Sequence, residues 1–111
     1  MDTQAAKDVA AAVIAERLPE LVALSHSVHA TPELCFEEVR SSHAVAEALR
    51  AGGLTVTEGV YDIPTALESR SGAGELVIAV CAEYDALPDV GHACGHNIIA
   101  ATAVGAGLAL A

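Results

Sequence analysis

The sequence predicts an α/β domain of layered type, ordered helix, helix, strands, helix, and three observations carry that prediction. The first 30 residues are Ala-rich and repeat apolar side chains at helical spacing. Residues 76–82, Leu-Val-Ile-Ala-Val-Cys-Ala, are apolar without alternation, the pattern of a central strand covered on both faces. A third run, from His96 onward, is built of small residues that suit a closely packed helix. Hydrophobic residues make up 53% of the 111, but with one Phe, two Tyr and no Trp the apolar mass is small and aliphatic, which is helix and α/β composition and not disorder. One domain is expected at this length, burying roughly 60 to 70% of its unfolded surface.

Residues 4–30 read as helix, with Val9, Val13, Leu18, Leu21, Val22 and Val28 at mostly helical spacings. Pro19 interrupts the hydrogen-bond ladder, so the segment is either kinked or two helices, with Pro19 in the first turn of the second. Thr31-Pro32-Glu33 marks a turn. A second, amphipathic helix is expected from Glu37 to Ala51. Its Val39, Ala46 and Leu49 point inward, its Glu38, Arg40, Glu47 and Arg50 outward, and Gly52-Gly53 is its left-handed stop. Strands are expected over Leu54–Val60, Thr65–Ser69 and Leu76–Ala82, the last two joined by the hairpin-type residues Arg70–Glu75. A polar loop from Glu83 to Gly95 leads to the final helix, whose Ala100, Ala101, Ala103, Gly105, Ala106 and Gly107 allow close packing on a sheet. The last fourteen residues carry no charge and no Pro, and Ala111 falls inside the apolar pattern, so residues 1–111 read as a truncated portion of a domain.

Five Lys plus Arg against fifteen Asp plus Glu give a formal charge of −10. Nucleic acid is thereby excluded as the main ligand, because so few basic residues cannot form the cationic stripe that displaces counterions from phosphates. The three cysteines are odd in number, and the N-terminus lacks the basic and apolar regions of a secretory signal, so a reducing, cytoplasmic setting is expected. Cys35 and Cys81 read as small core residues. The uncharged stretch Ile98–Ala111 falls short of the about 20 apolar residues that span a bilayer, so no membrane is expected.

The chemistry concentrates in Ala82-Glu-Tyr-Asp-Ala-Leu-Pro-Asp-Val-Gly-His-Ala-Cys-Gly-His-Asn97, which packs four acids or thiols and two histidines into sixteen residues. It follows the expected central strand, and ligands of open α/β sheets collect outside the carboxyl ends of strands. Cys94 and His96, separated by Gly95 at a helix entry, can both reach one divalent ion of zinc type, and Gly95 lets the backbone bend around it. His92 is either a further ligand or a donor behind the ligands. Asp85 is either a turn former or the residue that orients a ligand. His26, His29 and His43 lie on expected helices without partners at metal spacing and read as capping or core residues. Glu37-Glu38 reads as a solvated helix start, since adjacent helical residues point apart.

With His29-Ala-Thr-Pro-Glu-Leu-Cys-Phe-Glu-Glu38, Pro64-Thr65-Ala66 and the segment just quoted, residues 20–111 resemble metallopeptidase family twenty. The Glu-Tyr-Asp-Ala-Leu-Pro wording is most similar to the group of aminobenzoyl-glutamate hydrolases and Xaa-Arg dipeptidases. The resemblance implies the N-terminal part of a layered, zinc-peptidase-like catalytic domain of a metal-dependent hydrolase cleaving the amide bond of an N-acyl amino acid or dipeptide-like small molecule. It makes Cys94 and His96 metal ligands and Asp85 the orienting residue. Glu83 stands where the broader peptidases carry a metal-binding His, as in the amidohydrolase subgroup, and Asn97 stands where the auxin-conjugate hydrolases commonly carry Asp. Such enzymes hold two divalent ions, zinc foremost with Mn, Co or Ni as alternatives, roughly 3.5 to 4 Å apart around a shared water. By the same resemblance the general-base Glu, the remaining ligands and a lid domain associated with homo-oligomer formation lie beyond Ala111, and residues 1–111 are inactive alone. The rival expectation is a small noncatalytic metal or thiol-binding module built on His92, Cys94 and His96.

Overall fold

The Asp2 carboxylate accepts the Ala5 N–H at 2.8 Å and so caps the first helix, α1, Thr3–Ala30, in the computed structural model, which describes all 111 residues. α1 continues through Pro19 as one helix instead of dividing there. Its second half buries Leu21, Leu24 and Val28, and that packing carries the helix past the donor that Pro19 lacks.

The second helix, α2, spans Val39–Ala51, starting two residues later than Glu37. Ala46 and Leu49 face inward and Arg40, Glu47 and Arg50 outward as expected, and the differences are confined to the helix start. Ser41, Ser42, Val45, Ala46 and Leu49 turn inward, while Val39, expected inside, is 68% exposed. Glu38, expected outside, is buried and accepts the Thr65 hydroxyl at 2.8 Å. The start of α2 is held instead by Glu33, whose Oε1 accepts the Arg40 N–H at 2.9 Å and whose Oε2 accepts the Ser41 N–H at 2.8 Å and its hydroxyl at 2.7 Å. Gly53, with φ of 93°, supplies the left-handed stop after α2.

β1, Val56–Glu58, pairs antiparallel with β2, Leu67–Ser69, in the register Val56 with Ser69 and Glu58 with Leu67, and both strands are shorter than expected. Arg50 ties α2 to β1, its guanidinium donating to Glu58 Oε2 at 2.8 Å and to the Val56 carbonyl at 3.3 Å. The last helix, α3, is His96–Leu110. Its small residues meet helices and not a sheet: Ala100 and Ala101 are buried against α1 and α2, and a Cβ placed on Gly105 would come within 2.9 Å of Leu21 Cδ1. The core is therefore a three-helix one, Leu21, Leu24, Val28, Val45, Leu49, Ala100, Ala101 and Val104, with Leu54, Val56 and Leu67 packed at its edge.

Residues 76–82 form no strand. Leu76, Val77 and Ile78 are 82%, 84% and 74% exposed, and no backbone hydrogen bond joins any of residues 71–85. The hairpin expected at Arg70–Glu75 thus has no second arm, because a strand exists only where another lies beside it. Cys81, in this stretch, and Cys35, in the turn before α2, are both exposed and are not core residues. The total accessible surface is 7212 Å², whereas a monomer of this mass exposes about 5,700 Å². The architecture is mixed α/β, three helices with a two-stranded sheet, and no helix is long and apolar enough to cross a membrane.

Candidate functional site

The loop before α3 is closed on itself by one bridge, with the Leu87 N–H donating to the Gly91 carbonyl at 2.9 Å and the Gly91 N–H to the Leu87 carbonyl at 3.2 Å. Gly95 then adopts φ of 77°, which no side chain would favour, and its carbonyl accepts the first helical N–H groups from Ile98 and Ile99. This turn makes His96 the first residue of α3. The Asp85 Oδ1 lies 2.8 Å from His96 Nδ1, with both side chains about a quarter exposed, 26% and 23%. An ionised carboxylate only accepts, so the proton of the neutral ring resides on Nδ1 and the Nε2 lone pair is left free for a ligand. Asp85 is itself anchored, because the next residue, Ala86, donates its N–H to the Glu33 carbonyl at 2.7 Å.

His92 is buried, and neither of its ring nitrogens meets a hydrogen-bond partner. Its ring lies beside that of His29, with centroids 6.2 Å apart. Burial and then the neighbouring His29 hold the His92 imidazole below the ordinary histidine range, which favours its neutral form. Cys94 is exposed. The donor chemistry of Cys94 and His96 suits a divalent ion of zinc type, and the Asp85–His96 pair is the carboxylate–histidine arrangement that fixes a ligating ring. The chain nevertheless brings no three His, Cys, Asp or Glu side chains into a group able to surround an ion. The residues present therefore fit part of a metal site, an oriented histidine and a thiol two residues before it.

Several supporting residues carry no signal in the sequence beyond their polarity. Asn97, buried, donates its amide to the Ser25 hydroxyl at 2.9 Å and to the Ser25 carbonyl at 3.3 Å. Glu38, Thr65 and Tyr84 form a chain in which Thr65 donates to Glu38 and the Tyr84 hydroxyl donates to the Thr65 carbonyl. Burial, followed by the Glu38 and Glu58 carboxylates, pushes the Tyr84 hydroxyl up to about 12, so it remains a donor. The partners of these residues stand 19 to 72 positions away, out of reach of any local pattern.

No family model matches the chain. Curated proteins do. It is 38% identical over 110 residues to the Xaa-Arg dipeptidase of Mus musculus, covering 86% of this chain and 26% of that protein. A p-aminobenzoyl-glutamate hydrolase chain of Escherichia coli (strain K12) is 38% identical over 96 residues, covering 71% of this chain and 20% of that protein. The Thermostable carboxypeptidase 2 of Saccharolobus solfataricus is 34% identical over 101 residues, covering 77% and 25%. The chain thus spans about a quarter or less of the length of these relatives.

Proposed function

From the premise that the chain belongs to metallopeptidase family twenty, a family of hydrolases, we propose that it is the N-terminal portion of an enzyme cleaving the amide bond of an N-acyl amino acid or dipeptide-like substrate. The observation that carries the site is the Asp85–His96 contact at 2.8 Å, which presents His96 Nε2 as a ligand in a fixed orientation. Cys94 and His96 are the residues that would hold a divalent ion, zinc or else Mn, Co or Ni, and Asp85 is the residue behind them. When bound, such an ion polarises the scissile carbonyl and lowers the pKa of a water. The chain's own part is to aim the imidazole, keep its proton on the Nδ1 side, and bend at Gly95 so that thiol and imidazole flank one turn. The names of the relatives, a dipeptidase, an aminobenzoyl-glutamate hydrolase and a carboxypeptidase, share cleavage of a bond next to an amino acid, and that is the substrate class proposed here.

Calorimetric titration of the chain with Zn²⁺ tests this reading. Binding is expected to be weak, to be lost in Cys94→Ser and to survive in Cys35→Ser and Cys81→Ser, since only the first removes a thiolate donor. Unchanged binding in Cys94→Ser removes Cys94 from the site, and tight stoichiometric binding favours a closed structural site of four ligands. With no three donors gathered, residues 1–111 are expected to hydrolyse no N-acyl amino acid or dipeptide; turnover would place the whole machinery within them.

A further inference from the structure

Three contacts link the end of α1 to the segment that carries the site, and they come from positions four residues apart. Ser25 receives the Asn97 amide, His29 lies against the His92 ring, and the Glu33 carbonyl receives the Ala86 N–H at 2.7 Å. Ser25 and His29 occupy one face of α1, and Glu33 lies in the turn that continues from it. The segment they meet, residues 86–97, makes only the Leu87–Gly91 bridge and one turn, from the Gly95 N–H to the His92 carbonyl at 3.1 Å, before α3, so contacts from outside contribute to its shape. Each contact is next to or near a residue of the proposed site: Ala86 follows Asp85, and Asn97 follows His96.

We propose that Asn97 is the positioning residue for His96, acting through its two hydrogen bonds to Ser25, with the Ser25 and His29 face of α1 and the Glu33 turn that follows it as the rack against which the site segment is set. The inference rests on the functional reading given above and deepens it. The Asn97 amide is engaged by Ser25, so its action on the site runs through His96. It is the second residue of α3, and its amide clamps the first turn of that helix onto α1, which fixes the rotation of the turn about the helix axis and so the direction in which the His96 ring leaves the backbone. Gly95 makes the clamp necessary, since a glycine with φ of 77° immediately before the helix offers no steric hold of its own. The Asn97 carboxamide is suited to this task because one NH₂ group reaches both the hydroxyl and the carbonyl of Ser25. An aspartate at 97 could accept from the hydroxyl but would face the carbonyl with a second acceptor, so it keeps one contact of the two.

The test compares Asn97→Ala, Asn97→Asp and Ser25→Ala with the unaltered 111-residue chain, using two readouts. The first is the tautomer of His96, read from its ring nitrogen shifts by NMR at a fixed pH at which the ring is neutral, and it needs no metal. Unaltered chain should hold the proton on Nδ1 toward Asp85; Asn97→Ala, which loses both contacts, should give a mixture of tautomers, and Asn97→Asp and Ser25→Ala, which each keep one, a smaller change in the same direction. The second is the dissociation constant for Co²⁺, expected to rise about tenfold in Asn97→Ala, the lower end of what loss of a support behind a ligand costs. Ser25→Ala keeps the test open if Asn97→Ala fails to fold, since it removes one acceptor with less disturbance. A fall in melting temperature with an unchanged His96 tautomer and unchanged Co²⁺ affinity overturns the proposal and leaves Asn97 a packing residue. A tautomer change in a chain that binds no Co²⁺ at all supports the positioning role while refuting the metal reading.

Discussion

The helical half of this molecule and the stretch from residue 71 to residue 83 are both rich in apolar residues, yet only one of them is folded against anything. α1, α2 and α3 contribute every member of the core cluster, whereas Leu76, Val77 and Ile78 stand in solvent and no backbone hydrogen bond reaches their segment. The difference is one of where hydrogen-bond partners come from. A helix closes its bonds four residues away and needs a neighbour only for its apolar face, while a strand owes every bond to another segment. The proposed site residues divide along the same line: Asp85 and His96 are set where the loop touches α1 and α3, just beyond the unpaired stretch.

The largest test of this contrast is a charge in the helical core. Val28 is 1% exposed and packs among Leu24, Val45 and Ala100, with no cation nearby in the cluster. Val28→Asp buries an uncompensated carboxylate or forces it to protonate, at a cost of about 3 to 5 kcal/mol. For a domain at the lower end of ordinary stability, about 5 kcal/mol, that is most of what holds it folded. Urea denaturation followed by far-ultraviolet circular dichroism should show the helical signal lost or its midpoint near zero denaturant. An unshifted midpoint would mean that the helices are not held by this core.

A smaller effect is expected at Glu33. Burial pulls its carboxyl upward, but the Arg40 N–H and the Ser41 hydroxyl and N–H outweigh this and hold it below the ordinary glutamate range. Glu33→Gln leaves an amide that accepts with one oxygen and removes a negative charge from a helix N-terminus, costing about 1 kcal/mol. The sign of the pH dependence follows. Because the folded pKa lies below the unfolded one, the contribution is present in full above the unfolded value of about 4.3 and is lost as pH falls from there through the folded value. The stability gap between the unaltered chain and Glu33→Gln should therefore be constant near neutral pH and close on acidification. A gap that stayed open at low pH would show that the carboxylate charge is not what Glu33 contributes.

Helices and the site motif are more fully legible in the sequence than the sheet is. α1 and α3 can be read because their signals are local: Ala-rich, helically spaced apolar residues in the first and a Gly95 turn into His96 in the second. The onset of α2 is harder to place because its cap, Glu33, reaches forward seven and eight residues, beyond any capping pattern counted from the helix start. Glu38 looks solvated in sequence because its partner, Thr65, is 27 residues away. In the site, the Asp85 and His96 pairing follows from loop order, while the holds from Ser25 and Glu33 do not, since neither residue carries a chemical signature in sequence. Residues 76–82 have the composition of a central strand, apolar and β-branched, but not its structure, because pairing is a property of two segments and this one has no neighbour here.

The smallest expected effect lies in that stretch and completes the contrast with Val28. Val77 is 84% exposed, so in the folded and unfolded chains alike its side chain faces water. Val77→Asp therefore transfers no charge out of solvent and removes no packing, and its effect on stability should stay within about 0.5 kcal/mol. The same chemical change thus costs several kcal/mol at one valine and almost nothing at the other, the whole difference being burial. Urea midpoints for the two variants, measured side by side at low protein concentration, decide it. A Val77→Asp chain destabilised by as much as Val28→Asp would show that residues 76–82 are buried in solution, and the apolar run would then be a strand after all. An unchanged midpoint, together with reduced association at high concentration, would show that the segment is an open edge whose bare backbone and uncharged side chains offer other strands a place to pair.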